Sequence, residues 1–224
     1  MDLKKVKYYD LSHTLYHNCP GWPTHAPNIV DVTYHQALHG YNAETLTFNT
    51  HTTTHIDAPY HFYTEEPSVD QLSLDHFAGP AVFADLRGKA KLDGPITADM
   101  LKPFMSQVEK GDIFLMNTGW CEKRGFTEEY LHQWPYLDGS GAELLIEAGV
   151  RAVGSDSLSM GGWGSPEKAN PCHLALLKKH IVLIEEMYFP EAVMDGKKRF
   201  VTAFPLKIVG ASGCPVRVVA CEFE

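Results

Sequence analysis

The sequence predicts a single α/β domain spanning residues 1–224, a mixed β-sheet with flanking helices, and three observations carry that prediction. At 224 residues the chain has the length of one large globular domain. No internal repeat, low-complexity tract or long polar linker divides it. Short runs rich in Val, Ile, Phe or Thr and bounded by turn residues recur along it; in the second half they alternate with helix patterns, whereas the N-terminal half and the tail are strand-rich with little helix. That mixture excludes a uniformly parallel, doubly wound sheet.

Taken in order, the strand runs are 44–50, 80–87, 112–118, 150–156, 181–187, 199–209 and 215–223. Thr97 can cap a helix that runs to about Glu109. Ser140 can cap a second, through Ala148, which Gly149 ends in a left-handed conformation. A third is expected to begin with Asn170 as N-cap and Pro171 at the first helical position, where a missing N–H is no loss. Leu174, Leu177 and Ile181 supply its apolar side.

Composition narrows the function. A charge of -9 (19 Lys plus Arg against 28 Asp plus Glu) disfavours binding to a phosphate backbone, so nucleic acid is not an expected partner. With 44% hydrophobic residues and 21% charged, the chain folds rather than staying disordered. The start, MDLKKVKYYDLSH, has no apolar stretch after its lysines, and the aliphatic run 181–184 is too short to span a bilayer; a cytoplasmic protein without membrane contact is expected. Five scattered cysteines without a C-x-x-C pair fit a reducing compartment and indicate neither a disulfide framework nor a thiolate zinc site. There is no G-x-S-x-G, Walker A or H-E-x-x-H motif, and GSGAEL at 139–144 follows a turn rather than a strand, so it fails as a dinucleotide fingerprint. Cys172 is a candidate nucleophile beside a helix start, but its neighbour His173 points about 100° away and is poorly placed as its base.

The outlying number is twelve histidines. Residues 51–62 read HTTTHIDAPYHF, which puts His51, His55, Asp57 and His61 within eleven positions. The H-x-x-x-H interval alone is weak, since His13/His17 and His35/His39 share it. A carboxylate two residues beyond the pair makes the difference, because two imidazoles and a carboxylate are a common ligand set for Zn, Mn or Fe. A straight strand would separate His51 and His55 by about 13 Å, too far for one ion with ~2 Å bonds. Three threonines disfavour a helix, and Ala58 before Pro59 is biased away from α. A bend at Thr52–Thr54 is therefore expected, followed by an extended stretch in which His55 and Asp57 share a face. Pro59 would stiffen the approach to His61, which suits an acid/base group standing near the metal without ligating it. His13, His17, His25, His35, His39, His76, His132 and His180 are read as ordinary hydrogen-bonding side chains. Trp22, in CPGWP, is a packing aromatic or a substrate platform.

This segment resembles the H-x-G-T-H-x-D-x-P-x-H signature of the metal-dependent hydrolase family that contains the bacterial kynurenine formamidases, the cyclase family. The likeness extends over Asp10-Leu11-Ser12, Pro20-Gly21, GDIFLMNTGW at 111–120, VGSDSLS at 153–159 and GCPVR at 213–217. It implies a swivelling β/β/α, barrel-like, cyclase-like core. It also implies one metal held by His51, His55 and Asp57, a second site completed by His173 and Glu185 with Asp57 bridging, and His61 as the acid/base. Glu186 is the neighbouring alternative to Glu185, but adjacent strand residues face opposite sides. The signature glycine is Thr53 here, so a β-branched residue must make the bend, with negative φ unless strained.

The expected function is a hydrolase that cleaves a small non-peptide amide C–N bond of the N-formylkynurenine type with metal-activated water, using one or two Zn or Mn ions per subunit. Alternatives are hydrolysis of cyclic amides or lactones, as in isatin hydrolases, at the same site, a non-catalytic metal-binding protein, and more weakly a cysteine enzyme. Trp163, in the glycine-rich GGWG, could sit on a mobile lid over an aromatic substrate, and with Trp22 it is a candidate substrate-binding residue. The resemblance suggests a homodimer or homotetramer.

Overall fold

A computed structural model of the chain describes residues 5–223. The chain opens with β1 (Val6–Asp10) and then runs out into a hairpin, β2 (Ile29–Tyr34) and β3 (Ala43–Thr47), joined through the one-turn helix α1 (Gln36–His39). β4 (His55–Asp57) follows the threonine segment. β5 (Ala78–Asp85), β6 (Pro95–Ile96), α2 (Ala98–Leu101), β7 (Ile113–Asn117), α3 (Glu128–His132), β8 (Tyr136–Leu137), α4 (Gly139–Ala148), β9 (Ala152–Ser155), α5 (Pro166–Leu177) and β10 (Val182–Glu185) come next, and β11 (Arg199–Thr202), β12 (Gly213–Pro215) and β13 (Val219–Phe223) form the tail. Nine strands join in the order β1-β13-β11-β5-β7-β9-β10-β4-β12, a mixed sheet that curls into a half-barrel. β5, β7, β9 and β10 are parallel, and both flanks are antiparallel. The expected α/β class with a mixed sheet is the one observed.

The parallel strands are apolar on both faces, as strands covered on both sides must be. Ile113, Leu115, Ala152, Val182 and Ile184 enter one core, shared with Ile56 and Val201. The alternate residues Phe114, Met116, Val153 and Leu183 enter the other, where Leu145 of α4 and Leu176 and Leu177 of α5 pack. This parity places the site. Ile184 lies opposite Ile56 in the β10–β4 register and Glu185 opposite His55. With the two isoleucines in the first core, Glu185, His55 and Asp57 are turned to the face that α5 covers.

Several expected boundaries move, each for a local reason. The third helix starts at Pro166 with Ser165 before it, not at Asn170. Pro166 takes the first helical position, and Pro171 falls inside the helix, where it leaves the Glu167 carbonyl without its usual donor. The helix expected over 97–109 gives way after Leu101 to a 3-10 segment, Lys102–Gln107, because Pro103 has no N–H for the Asp99 carbonyl. The cap of α4 is Asp138, whose carboxylate accepts from the Gly141 N–H at 2.9 Å, and Ser140 donates to that carboxylate. Gly149 ends this helix at φ +74° as expected. The run 199–209 is strand only to Thr202, and 44–50 belongs to the hairpin outside the main sheet.

Candidate metal centre

The bend between His51 and His55 is made by Thr53 at φ +49°. A β-branched residue in the left-handed region is strained, at a cost of order 1–3 kcal/mol, so the surroundings must hold it. All three threonines are buried and each is tied to a different part of the chain. Thr52 Oγ1 accepts from Asn28 Nδ2 (2.8 Å) and Thr53 Oγ1 from Arg124 Nη2 (3.3 Å). Thr54 donates to the Glu186 carbonyl (2.5 Å) and accepts from the His13 N–H (2.8 Å).

Beyond the bend, six of the sequence-derived residues converge. Asp57 is central. Its Oδ1 lies 2.6 Å from His51 Nδ1 and 3.4 Å from His55 Nε2, and its Oδ2 is 3.8 Å from His61 Nε2 and 3.7 Å from His173 Nε2. Glu185 approaches His55 Nε2 at 3.5 Å and His173 Nε2 at 3.2 Å. Two triads, His51–Asp57–His61 and His55–Asp57–Glu185, each have donor atoms within 4.8 Å of one another and share Asp57.

Backbone carbonyls orient two of the imidazoles. A carbonyl can only accept, so His55 Nδ1 donates to Thr53 O (2.7 Å) and His173 Nδ1 to Ala169 O (2.7 Å), which turns each Nε2 towards the carboxylates: His55 Nε2 has no hydrogen-bond partner there, and His173 Nε2 meets Glu185 Oε1 at 3.2 Å. His51 Nε2 meets the Ser212 hydroxyl at 2.8 Å. Glu185 Oε1 accepts from the Met160 N–H (2.6 Å) and from Ser159 (3.1 Å).

These residues fit a divalent cation. His55 Nε2 and Asp57 Oδ2 are buried with no hydrogen-bond partner, and an orphaned lone pair beside a buried carboxylate is what an ion would satisfy. The charges agree. Burial alone would push the His55 imidazole down, but the Asp57, Glu185 and Glu186 carboxylates outweigh it and hold it up at about 9. Burial would raise Asp57, yet the surrounding imidazoles, His51 and His61 foremost, keep it well below the usual carboxylate range. Positive charge is in demand here. His61 is pushed down to about 4 by burial, with the His51 and His173 charges adding and Asp57 opposing.

A cavity of about 480 Å³ opens over the cluster. Trp22 lines it; Trp163 does not, and stands behind Trp22 in an edge-to-face contact with ring centres 5.0 Å apart. The GGWG stretch expected as a lid is packed in place: the Gly161 carbonyl accepts from Trp134 Nε1 at 2.7 Å and the Gly162 N–H donates to Lys168 O. Cys172, on α5, is fully buried in the second core and does not line the cavity. His25, read from the sequence as an ordinary side chain, also lines the cavity, and among the lining residues the sequence reading did not single out are Ser212 and Phe62, whose ring stacks on His173 at 4.8 Å. Phe62 closes the histidine segment itself, whereas His25 and Ser212 stand at no diagnostic interval from it. Glu186, at φ +50°, also reaches the cavity wall, but its Oε2 is buried without a partner and burial pushes its carboxyl up to about 7.

The profile of the family described as Putative cyclase matches residues 9–161. The chain belongs to this family. It is 30% identical to a kynurenine formamidase of Bacillus cereus over 218 residues, 97% of this chain and 98% of the relative. It is 32% identical to the kynurenine formamidase of Geobacillus thermodenitrificans over 94% and 95% of the two chains. Among solved structures, isatin hydrolase A from Ralstonia solanacearum superposes with a TM-score of 0.84 at 26% identity, covering 97% of this chain and 92% of the other. Isatin hydrolase A from Labrenzia aggregata gives 0.88 at 24% identity over 98% and 94%, a likeness of fold. No helix among the described residues is long and apolar enough to cross a membrane.

Proposed function

We propose that this cyclase-family chain is a divalent-metal-dependent hydrolase that opens a small non-peptide amide C–N bond. The observation that carries the reading is the meeting of two orphaned buried atoms, His55 Nε2 and Asp57 Oδ2, with Glu185 beneath a cavity of small-molecule size. His51, His55 and Asp57 would hold one ion, and His173 and Glu185 a second with Asp57 between them, a donor set that suits Zn or Mn. When bound, such an ion supplies Lewis acidity, polarising a carbonyl and making water acidic enough to react at neutral pH.

The chain's own residues do the rest. The His61 ring stacks on His51 with centres 4.0 Å apart and lines the cavity, and its lowered basicity keeps it neutral at pH 7, so its Nε2 would be placed to take a proton from the attacking water and return it to the departing nitrogen. Trp22, backed by Trp163 and Trp134, offers an aromatic wall for a planar substrate.

The relatives are kynurenine formamidases and isatin hydrolases, and one observation favours a compact neutral amide of the second kind. None of the described residues that line the cavity is Lys or Arg, so apart from the proposed metal the carboxylate of an amino-acid substrate would find no side-chain cation to pair with in the wall. The test is to load the protein with Zn or Mn and assay it with isatin and N-formylkynurenine, in wild type and His61→Ala. Turnover in the wild type, with isatin the better substrate, and a fall of about 10²–10⁴-fold in the variant with metal retained are expected. Bound metal without turnover would leave a metal-binding protein.

Cytoplasmic residence and self-association belong to the same proposal. All five cysteines are free and four are buried, which suits a reducing compartment. The β2–β3 hairpin exposes Ile29, Val32 and Leu46, and a two-stranded ribbon is marginal alone in water; a second copy of the chain is the cover proposed for it.

A further inference from the structure

We infer that Arg124 and the strained Thr53 form a positioning pair that aims the imidazole of His55, so that cation affinity in this chain depends on a guanidinium outside the cavity. The inference rests on the proposed role of His55 as a ligand.

Thr53 occupies a backbone conformation in which a glycine would carry no strain, and the residue is 3% exposed, so the question is what it contributes that glycine lacks. It contributes a hydroxyl. That oxygen accepts from Arg124 Nη2 at 3.3 Å, while Arg124 Nη1 donates to the Thr14 carbonyl at 3.1 Å and the guanidinium lies over the Tyr16 ring, 5.6 Å from its centre. Arg124 is thus fastened to the 14–16 segment and grips the bend by its only hydroxyl on that side. The backbone angles of Thr53 set the direction of its carbonyl, and this carbonyl receives the His55 Nδ1–H at 2.7 Å. The carbonyl fixes the tautomer and plane of the ring, and with them the position of the orphaned Nε2 between Asp57 and Glu185. Holding the bend therefore holds the lone pair.

Arg124 also faces the buried Glu186 and Tyr130, so a loss on removing it could arise from their charge balance instead. A double-mutant cycle separates the two routes. The full-length chain is stripped with chelator and titrated with Zn²⁺ against a competing indicator, for wild type, T53V, R124M, T53G and T53G/R124M. Circular dichroism and thermal midpoints of the metal-free forms report folding. T53V and R124M are expected to remain folded and to bind Zn²⁺ about 10- to 100-fold more weakly. In the T53G background, where no hydroxyl remains to be gripped, R124M should add no further loss. In the Zn²⁺-loaded protein the ¹⁵N shifts of His55 should show Nδ1 protonated and Nε2 ligated in wild type, and a mixture of the two ring orientations in T53V. Should R124M fail to fold, T53V breaks the same contact from the other end, and R124K asks whether charge alone suffices. An equal factor lost on R124M in both backgrounds, or full affinity in folded T53V, overturns the pairing. Absence of Zn²⁺ binding by the wild type overturns the ligand assignment and the pairing with it.

Discussion

Three consecutive threonines look like a β-prone run, yet they anchor a bend at three separate points, to Asn28, Arg124 and Glu186. The need for a bend was legible from distance alone, because two rings on a straight strand could not converge; which partners would hold it was not, since they lie 24 to 132 positions away. His51, His55, Asp57 and His61 were legible for the same local reason, whereas His173 and Glu185 could be chosen only through family resemblance. His25 and Ser212 reach the cavity through long-range packing that leaves no interval to read. His13, next to this bend, gives a prediction about acid. Burial, with the Arg124 charge adding, lowers its imidazole from 6.5 to about 4. Across that window the unfolded chain takes up a proton that the folded one refuses, so the contribution of His13 to stability is present above about pH 6.5 and is lost as pH falls towards 4. Urea midpoints followed through this range should fall more steeply for wild type than for His13→Asn. Parallel curves would rule out His13 as a source of acid sensitivity.

At the level of elements, long apolar runs were readable and short ones were not. β5, β7, β9 and β10 are buried on both faces and announce themselves, while β4 and β12 have three residues each and exist because neighbours pair with them. Helix starts were misplaced where two signals compete, as with Pro166 and Pro171, or Asp138 and Ser140. Asp138→Ala is expected to cost about 1 kcal/mol in denaturant unfolding, the usual worth of a capping side chain; an unchanged midpoint would return the cap to Ser140. β12 does more than pair. A Cβ on Gly213 would stand 2.5 Å from His51 Cε1 and 2.6 Å from the Ile56 carbonyl. Gly213→Ala should therefore displace the His51 ring and weaken Zn²⁺ binding, read by chelator competition, by a larger factor than its effect on the metal-free thermal midpoint explains. Normal affinity would show that the ring can tolerate the shift.

For the whole molecule, the mixed sheet and its flanking helices follow from the order of patterns along the chain, but the hairpin arm does not, since alternation within β2 and β3 looks the same whether or not a core lies beneath. Leu46→Asp or Val32→Asp should shift the protein towards monomer in light scattering if a second copy covers the arm; an unchanged mass would leave the arm to another role. Chelation is expected to lower the thermal midpoint, because an ion bound only by the folded chain stabilises it by mass action. The setting of β4 carries this further. It is laddered to β10 on one side and β12 on the other, with its neighbours Thr54 and Ala58 also hydrogen-bonded through their backbones. Peptide hydrogens that bear on a liganding strand of this kind cannot reach solvent by a local fluctuation. Deuterium should enter His55–Asp57 as slowly as it enters the heart of the sheet, even in the apo protein, so that the reactive centre survives, or is lost, with the globule as one cooperative unit.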